Sequence, residues 1–199
     1  MKYNNEKEKY IDLYSGKLGE LYVENDGRGQ SDGGYGRANW GENVIKIIQQ
    51  SNVKSILDFG CGFGRFCDCV SSFAETVYGA DIASVCTGNT VINEKIKFID
   101  TDGVSISLPD GSVELITSFD CLEHISENDL EKVFLEFKRV ATKGFIISVA
   151  PCGDVMFDVP LHLTIKPIDW WLTRCSSFGK VSTLGQTPIT NLPYIFCKF

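Results

Sequence analysis

Three glycines at alternate positions, Gly60, Gly62 and Gly64, follow Asp58 in the run Ser55-Ile-Leu-Asp58-Phe-Gly60-Cys61-Gly62-Phe-Gly64. Glycine permits a tight backbone turn and lets a ligand approach with no Cβ in the way. The apolar run before the turn suits a buried strand. Arg65 to Val70 continue as a helix, whose first N–H groups are open to an acceptor. Together these make a nucleotide-binding edge. Asp81, 17 residues beyond Gly64, closes a second apolar run. Its two carboxylate oxygens could accept from both hydroxyls of a ribose. Farther on stand Asp120-Cys-Leu-Glu123-His124 and the chain's other histidine, His162. Imidazole titrates near neutrality, so either histidine could act as a general base.

The glycine spacing separates two cofactors. A dinucleotide turn is G-x-G-x-x-G. Its third glycine would fall at Arg65, which disfavours a nicotinamide-dependent oxidoreductase. The observed D-x-G-x-G-x-G resembles motif I of the class I S-adenosylmethionine (SAM) methyltransferases, and the resemblance covers about 53–150. It implies an α/β, Rossmann-like doubly wound sheet of seven strands, the last antiparallel, with helices on both faces. It also implies SAM as cofactor, held by Asp58, Gly60, Cys61, Gly62 and Gly64. Asp81 would take the ribose, and Ile82 would pack on the adenine. The family places an Asp near the adenine amino group, and Asp100 and Asp102 compete for that place. Asp102 matches better because Gly103 follows it. Phe119, at the end of the fourth strand, would line the floor of the cofactor site.

The Asp120-x-x-Glu123-His124 segment resembles the E-x-x-E-H segment of ubiquinone-pathway O-methyltransferases and of small-RNA 3′-end 2′-O-methyltransferases. There two carboxylates and two histidines hold a divalent metal beside the acceptor oxygen. The resemblance implies Asp120, Glu123, His124 and His162 as ligands of an ion such as Mg²⁺, with Asp in place of the first Glu. In most of the superfamily, however, "L-E-H" is a helix start whose histidine only touches substrate. Both readings stand at this point. The acceptor expected is a small molecule, methylated at a hydroxyl oxygen. RNA 2′-O-methylation and a catalytically silent SAM-binding module are the alternatives.

The chain must supply elements to hold these groups. Its 199 residues are 43% hydrophobic, enough for one domain with a real core. The formal charge of -7 and the lack of a Lys/Arg cluster disfavour a nucleic-acid partner. No run approaches the roughly 20 apolar residues of a membrane span, and residues 1–9 lack the apolar core of a signal peptide. A cytoplasmic location with reduced cysteines is the expectation. The pattern predicts strands at 54–59, 76–81, 96–99, 113–118, 145–149, 179–183 and 194–198. It predicts helices at 39–50, 64–73, 84–93 and 167–175, and one capped by Ser126 with Asp129 three residues on. Alternation of the two implies a parallel sheet with its ligand at the strands' carboxyl ends. The expected division is a cap and lead-in helix over 1–50, a SAM-binding core over 53–150, and a substrate-side insertion with the last helix over 151–177. Residues 26–34 read as a loop. Residues 151–171 show no regular pattern, and their Met156, Phe157, Trp170 and Trp171 either line an acceptor pocket or pack the last helix. Tyr35 and Trp40 would cover the cofactor. Asn191-Leu-Pro-Tyr194 is similar to the N-P-P-Y motif of amino-group methyltransferases, but that motif belongs after strand four; here it reads as a turn.

Overall fold

In the computed structural model of the chain, the residues described are 5–15, 40–83, 93–153, 155–156, 158–188 and 190–199. The helix expected over 84–93, the loop over 26–34, Tyr35 and Phe157 fall wholly or almost wholly outside them. A helix α1 (Glu6–Ser15) and a helix α2 (Glu42–Gln50) precede the first strand. Then come β1 (Ser55–Phe59), α3 (Arg65–Ser71), β2 (Thr76–Asp81), β3 (Ile96–Asp100) and β4 (Val113–Phe119). A single 3₁₀ turn at Leu122–His124 leads into α4 (Glu127–Val140) and β5 (Ala141–Ser148). A small hairpin, β6 (Val155–Met156) and β7 (Val159–Pro160), precedes α5 (Ile168–Ser176), β8 (Lys180–Leu184) and β9 (Tyr194–Lys198).

Seven strands form one sheet in the order β3-β2-β1-β4-β5-β9-β8. The first five pair in parallel, and β9 runs antiparallel to both of its neighbours. The expected doubly wound architecture is therefore present. Strand order reverses between β1 and β4, and that crevice is where such sheets bind ligands. The strands are apolar on both faces, as buried parallel strands must be. On one face Ile56, Val77, Leu115 and Ile146 pack against Val44 and Ile48 of α2 and Phe66, Cys67 and Val70 of α3. On the other, Leu57, Ile116, Phe145 and Ile147 meet Leu130, Val133, Phe134, Phe137 and Val140 of α4 and Trp171 of α5.

Some local expectations need correction. Ser126 is the residue before α4, yet its hydroxyl makes no cap bond. It donates instead to the Asp129 carboxylate at 2.8 Å. Strand β5 starts four residues earlier than expected, directly after α4. Trp171 is fully buried in the core and Trp170 packs beside it at 5.1 Å between ring centroids, so this pair fills the sheet–helix interface. Trp40 stacks edge-on against Phe66 at 5.4 Å, in the cluster on the α2–α3 face. Tyr194 opens β9 and its hydroxyl accepts the Gly41 N–H at 3.0 Å, a structural role for the segment resembling N-P-P-Y.

Phe137 couples the core to the crevice. Its ring meets Phe59, at the carboxyl end of β1, edge-on at 5.2 Å, and also touches Phe134 and Phe145. Phe137→Ala should lower unfolding free energy by about 3–5 kcal/mol. Urea denaturation checks this: the midpoint should fall with the slope unchanged.

Candidate functional site

The glycine turn is tied to β2, since the N–H groups of Gly60 and Cys61 both donate to the Ala80 carbonyl, at 2.7 and 3.1 Å. Two of its positions need glycine. Gly60 has φ +78°, and a Cβ there would lie 2.3 Å from Cys121 Sγ at the end of β4. The two central strand ends thus approach as closely as a residue without a side chain allows. Gly62 has φ +51°, but a Cβ there would meet nothing within 4 Å. It faces open space. Gly64 precedes α3 in the left-handed conformation.

Asp81 is shaped by the turn. Its Oδ2 accepts the Gly62 N–H and its Oδ1 the Ala83 N–H, each at 2.8 Å. These bonds fix the carboxylate plane and use one lone pair on each oxygen. Burial raises its pKa, against the pull of those two bonds. Asp58 lies below, 4% exposed. In the β1–β4 register it sits beside Thr117, whose hydroxyl donates to its Oδ1 at 2.8 Å. Burial pushes the Asp58 carboxyl up to about 7; the Thr117 bond opposes this and Asp81 adds to it.

A cavity of about 170 Å³ opens above these strand ends. Phe59, Gly60, Asp81, Ile82, Asp102 and Gly103 line one part of it. Asp120, Cys121, His124 and Ile125 line another, and Glu6, Tyr10 and Tyr14 of α1 close the third side. Of the two competing acids only Asp102 lines it, and its Oδ1 accepts from the N–H groups of Val104 and Ser105, at 2.9 and 2.7 Å. Phe119 points away, packing edge-on against Phe66 at 4.9 Å and Tyr194 at 5.8 Å. The alternation of β4 sends it to the α2–α3 face, so the cavity wall is its successor, Asp120.

The four residues after β4 divide. Glu123 is fully buried. Its Oε1 accepts the Ala150 N–H at 2.9 Å, and its backbone carbonyl accepts from Leu163 and Thr164, at 2.8 and 2.9 Å. Oε2 has no hydrogen-bond partner. Burial, with Asp120 nearby, holds its carboxyl well above the usual carboxylate range. The bonds from Leu163 and Thr164 deliver His162 to His124: the rings stand perpendicular, 4.7 Å between centroids. One ligand atom from each of Glu123, His124 and His162 lies within 4.8 Å of the others. His162 Nδ1 faces the Cys152 carbonyl and His124 Nδ1 the Leu161 carbonyl, the latter at 3.2 Å. Burial, then His162, lowers His124 to about 3, so its ring is neutral. Asp120 stands outside this cluster. It has φ +48° and is held by β5, where Ser148 Oγ donates to its Oδ1 at 3.0 Å and the Asp120 N–H reaches the Ser148 carbonyl at 3.2 Å.

Residues 57–148 match the family model described as a methyltransferase domain. Residues 57–148 thus form a class I SAM-dependent methyltransferase domain. It is 30% identical over 158 residues to ajmaline N-methyltransferase of Rauvolfia serpentina, covering 68% of this chain and 52% of that protein. Norajmaline N-methyltransferase of the same organism is also 30% identical, over 166 residues, with 70% and 53% covered. The chain thus spans about half the length of the curated relatives it matches. Among solved structures, a DhpI–SAH complex has a TM-score of 0.64 at 11% identity, covering 96% of this chain and 93% of that one. The methyltransferase domain of bacterial CtHen1-C has a TM-score of 0.60 at 18% identity, with 78% and 95% covered. At such identities these two share the fold.

The cavity is also lined by residues that the motifs do not mark. Glu6, Tyr10 and Tyr14 form one stripe of α1, four residues apart. Tyr10, Leu13 and Tyr14 at helical spacing in a charged segment were the available signal. Cys121 and Thr101 carried none. No helix among the described residues is long and apolar enough to cross a membrane.

Asp58 makes the stability of this fold pH-dependent. Its folded pKa of about 7 exceeds its unfolded value near 4. The folded state therefore holds the extra proton between those values, and stability falls as pH rises through that window. Asp58→Asn keeps an acceptor for Thr117 and removes the titration. The variant should melt above the wild type at pH 8, with a ceiling on the order of 4 kcal/mol, and the gain should vanish near pH 4. Thermal unfolding across pH 4–8 measures it.

Proposed function

We propose that this chain moves the methyl group of SAM to a hydroxyl oxygen of a small molecule. The observation that carries this is the single cavity shared by Asp81, Ile82, Asp102 and Gly103 with Asp120, Cys121 and His124. A cofactor held on the first set presents its methyl group to the second. An open acceptor side argues for an enzyme over a silent SAM-binding module. In this reading Asp81 uses its remaining lone pairs for the ribose hydroxyls, Ile82 packs on the adenine, and Asp102–Gly103 face its edge. The backbone at Gly60–Gly64 accommodates the rest of the cofactor, with Asp58 beneath. Among the described residues, five carboxylates and no Lys or Arg line the cavity, which favours a small acceptor over phosphate-rich RNA. Asp81→Ala loses two charge-assisted hydrogen bonds to the ribose. Titration calorimetry should show SAH binding by the wild type and binding at least tenfold weaker in the variant.

Transfer is an in-line displacement: the S–CH₃ bond breaks as the O–CH₃ bond forms, and the hydroxyl proton must leave. Placement and exclusion of water supply most of the rate. His124 alone is a poor base for that proton, because its pKa of about 3 lies far below neutrality. A neutral imidazole suits ligation instead. The orphaned Glu123 Oε2, with His124 and His162, fits a divalent cation, and Asp120 is not needed for it. Such an ion would lower the pKa of a bound hydroxyl. Glu123 must lose its proton to ligate, so metal affinity should rise with pH. Calorimetry with Mg²⁺ or Mn²⁺ at pH 6 and pH 8 should show tighter uptake at pH 8, and His162→Ala should abolish it.

A nitrogen acceptor is the second reading, favoured by the names of the two N-methyltransferase relatives. A neutral amine carries its lone pair already and needs no metal. Mass spectrometry with methyl-deuterated SAM and a panel of phenols, sugars and amines separates the readings. Chelator-sensitive labelling of hydroxyls supports the first, and chelator-insensitive labelling of amines replaces it.

A further inference from the structure

Three groups from distant parts of the chain meet behind the His124 ring. Tyr10 Oη of α1 lies 3.0 Å from His124 Nδ1 and 3.2 Å from the Leu161 carbonyl oxygen, and that oxygen is itself 3.2 Å from His124 Nδ1. A carbonyl oxygen can only accept a hydrogen bond. Each atom facing it must therefore bring a proton, since a nitrogen lone pair opposed to it would be repelled. The phenol proton goes to Leu161, which leaves Tyr10 Oη as an acceptor for His124. The Nδ1–H of His124 is then shared between Tyr10 Oη, the nearer partner, and the Leu161 carbonyl. Resting on the reading of this cavity as the methyl-transfer site, we propose that Tyr10 is a positioning residue, holding His124 in the Nδ1–H tautomer so that Nε2 keeps its lone pair for an acceptor or an ion.

The surroundings make this bond hard to replace. Tyr10 is 7% exposed, so water has little access to substitute for its hydroxyl. Its ring meets the imidazole edge-on at 84°, 5.8 Å between centroids, which sets the ring plane. Helix α1 is seated by Tyr10 and Leu13 against Phe63 of the glycine turn, Ala83 after β2, and Leu161. The segment that positions the histidine thus also contacts both cofactor-side strand ends. A hydrogen bond on the far ring nitrogen is the usual means of fixing which imidazole nitrogen is available. Without the hydroxyl, Nδ1–H retains only the longer bond to Leu161, and the Nε2–H tautomer becomes accessible.

The test is spectroscopic, because tautomers are distinguished by their ring ¹⁵N shifts whether or not the enzyme turns over. The chain has only two histidines, and a His162→Gln spectrum assigns them. With the ¹⁵N-labelled full chain, free and with SAH, the wild type should show His124 as a single Nδ1–H tautomer. Tyr10→Phe, which keeps the ring and its packing, should show a mixture while its backbone amide spectrum stays folded. A Nε2–H or mixed tautomer in the wild type overturns the proposal, as does an unchanged single tautomer in Tyr10→Phe. Should the variant not fold, the wild-type spectrum alone decides. Absence of SAH binding by calorimetry would strike the reading of the cavity, and leaves the tautomer comparison to judge the lock.

Discussion

The His124 side of the cavity depends on one buried residue, Glu123. Its side chain takes the Ala150 N–H and its own carbonyl takes those of Leu163 and Thr164. Chain leaving β5 would otherwise run off the sheet edge as a loop. Three bonds fold it back beneath the end of β4, and Leu161 and His162 arrive beside His124. A buried carboxyl with one oxygen unpaired is expensive, since an unsatisfied polar atom costs roughly 1–3 kcal/mol. The strain of Asp120, left-handed between β4 and β5, belongs to the same corner. Costs of this kind concentrate where a site must hold groups in place before a ligand comes. Glu123 thus both pins the segment and keeps one buried oxygen without a hydrogen-bond partner.

The glycine-turn side rests on a different constraint, the closeness of β1 and β4. Gly60 leaves just enough room for Cys121, and the crevice between the strands is set by that contact. The glycine turn then bends over Ala80, which brings the Gly62 N–H onto Asp81. The turn and the carboxylate orient each other with no ligand present. Preorganisation of this kind lowers the ordering cost that binding would otherwise carry.

How legible each half was in the sequence follows from this contrast. Asp58, the glycines and Asp81 lie within 24 consecutive positions, and local rules govern them: a strand, a turn that only glycine fits, a strand end. The strands were legible for the same reason, as apolar runs of the right length. Gly62 and Asp81 are brought together by the β1–β2 pairing that any parallel unit makes. His162 lies 38 residues after His124, and long-range bonds such as those to the Glu123 carbonyl join them. Its place came from a family resemblance, not from periodicity. Tyr10 is farther still, 114 residues from His124, on a short helix whose polar composition hides its inward face. Phe119 and Asp120 show the limit of local reading. Sequence put both at the end of β4, but alternation sends one ring into the core and leaves the next carboxylate on the cavity wall.

Electrostatics adds a last step. Among the described residues, the cavity wall carries Glu6, Asp81, Asp102, Asp120 and Asp129 and no basic side chain. Two of these acids have counter-charges: Lys9, 5% exposed, pairs with Glu6, and Lys132 pairs with Asp129 at 2.7 Å. On the proposed reading this negative lining faces a sulfonium cation, which it attracts. That attraction weakens as the methyl group leaves, because the sulfonium charge disappears with it. It therefore favours the bound cofactor over the transition state and does not itself accelerate transfer. The rate must come from placement, which is what Glu123, Tyr10 and the glycine turn supply. The same loss of charge leaves the neutral sulfide product held less strongly than SAM by the carboxylates, which assists its release.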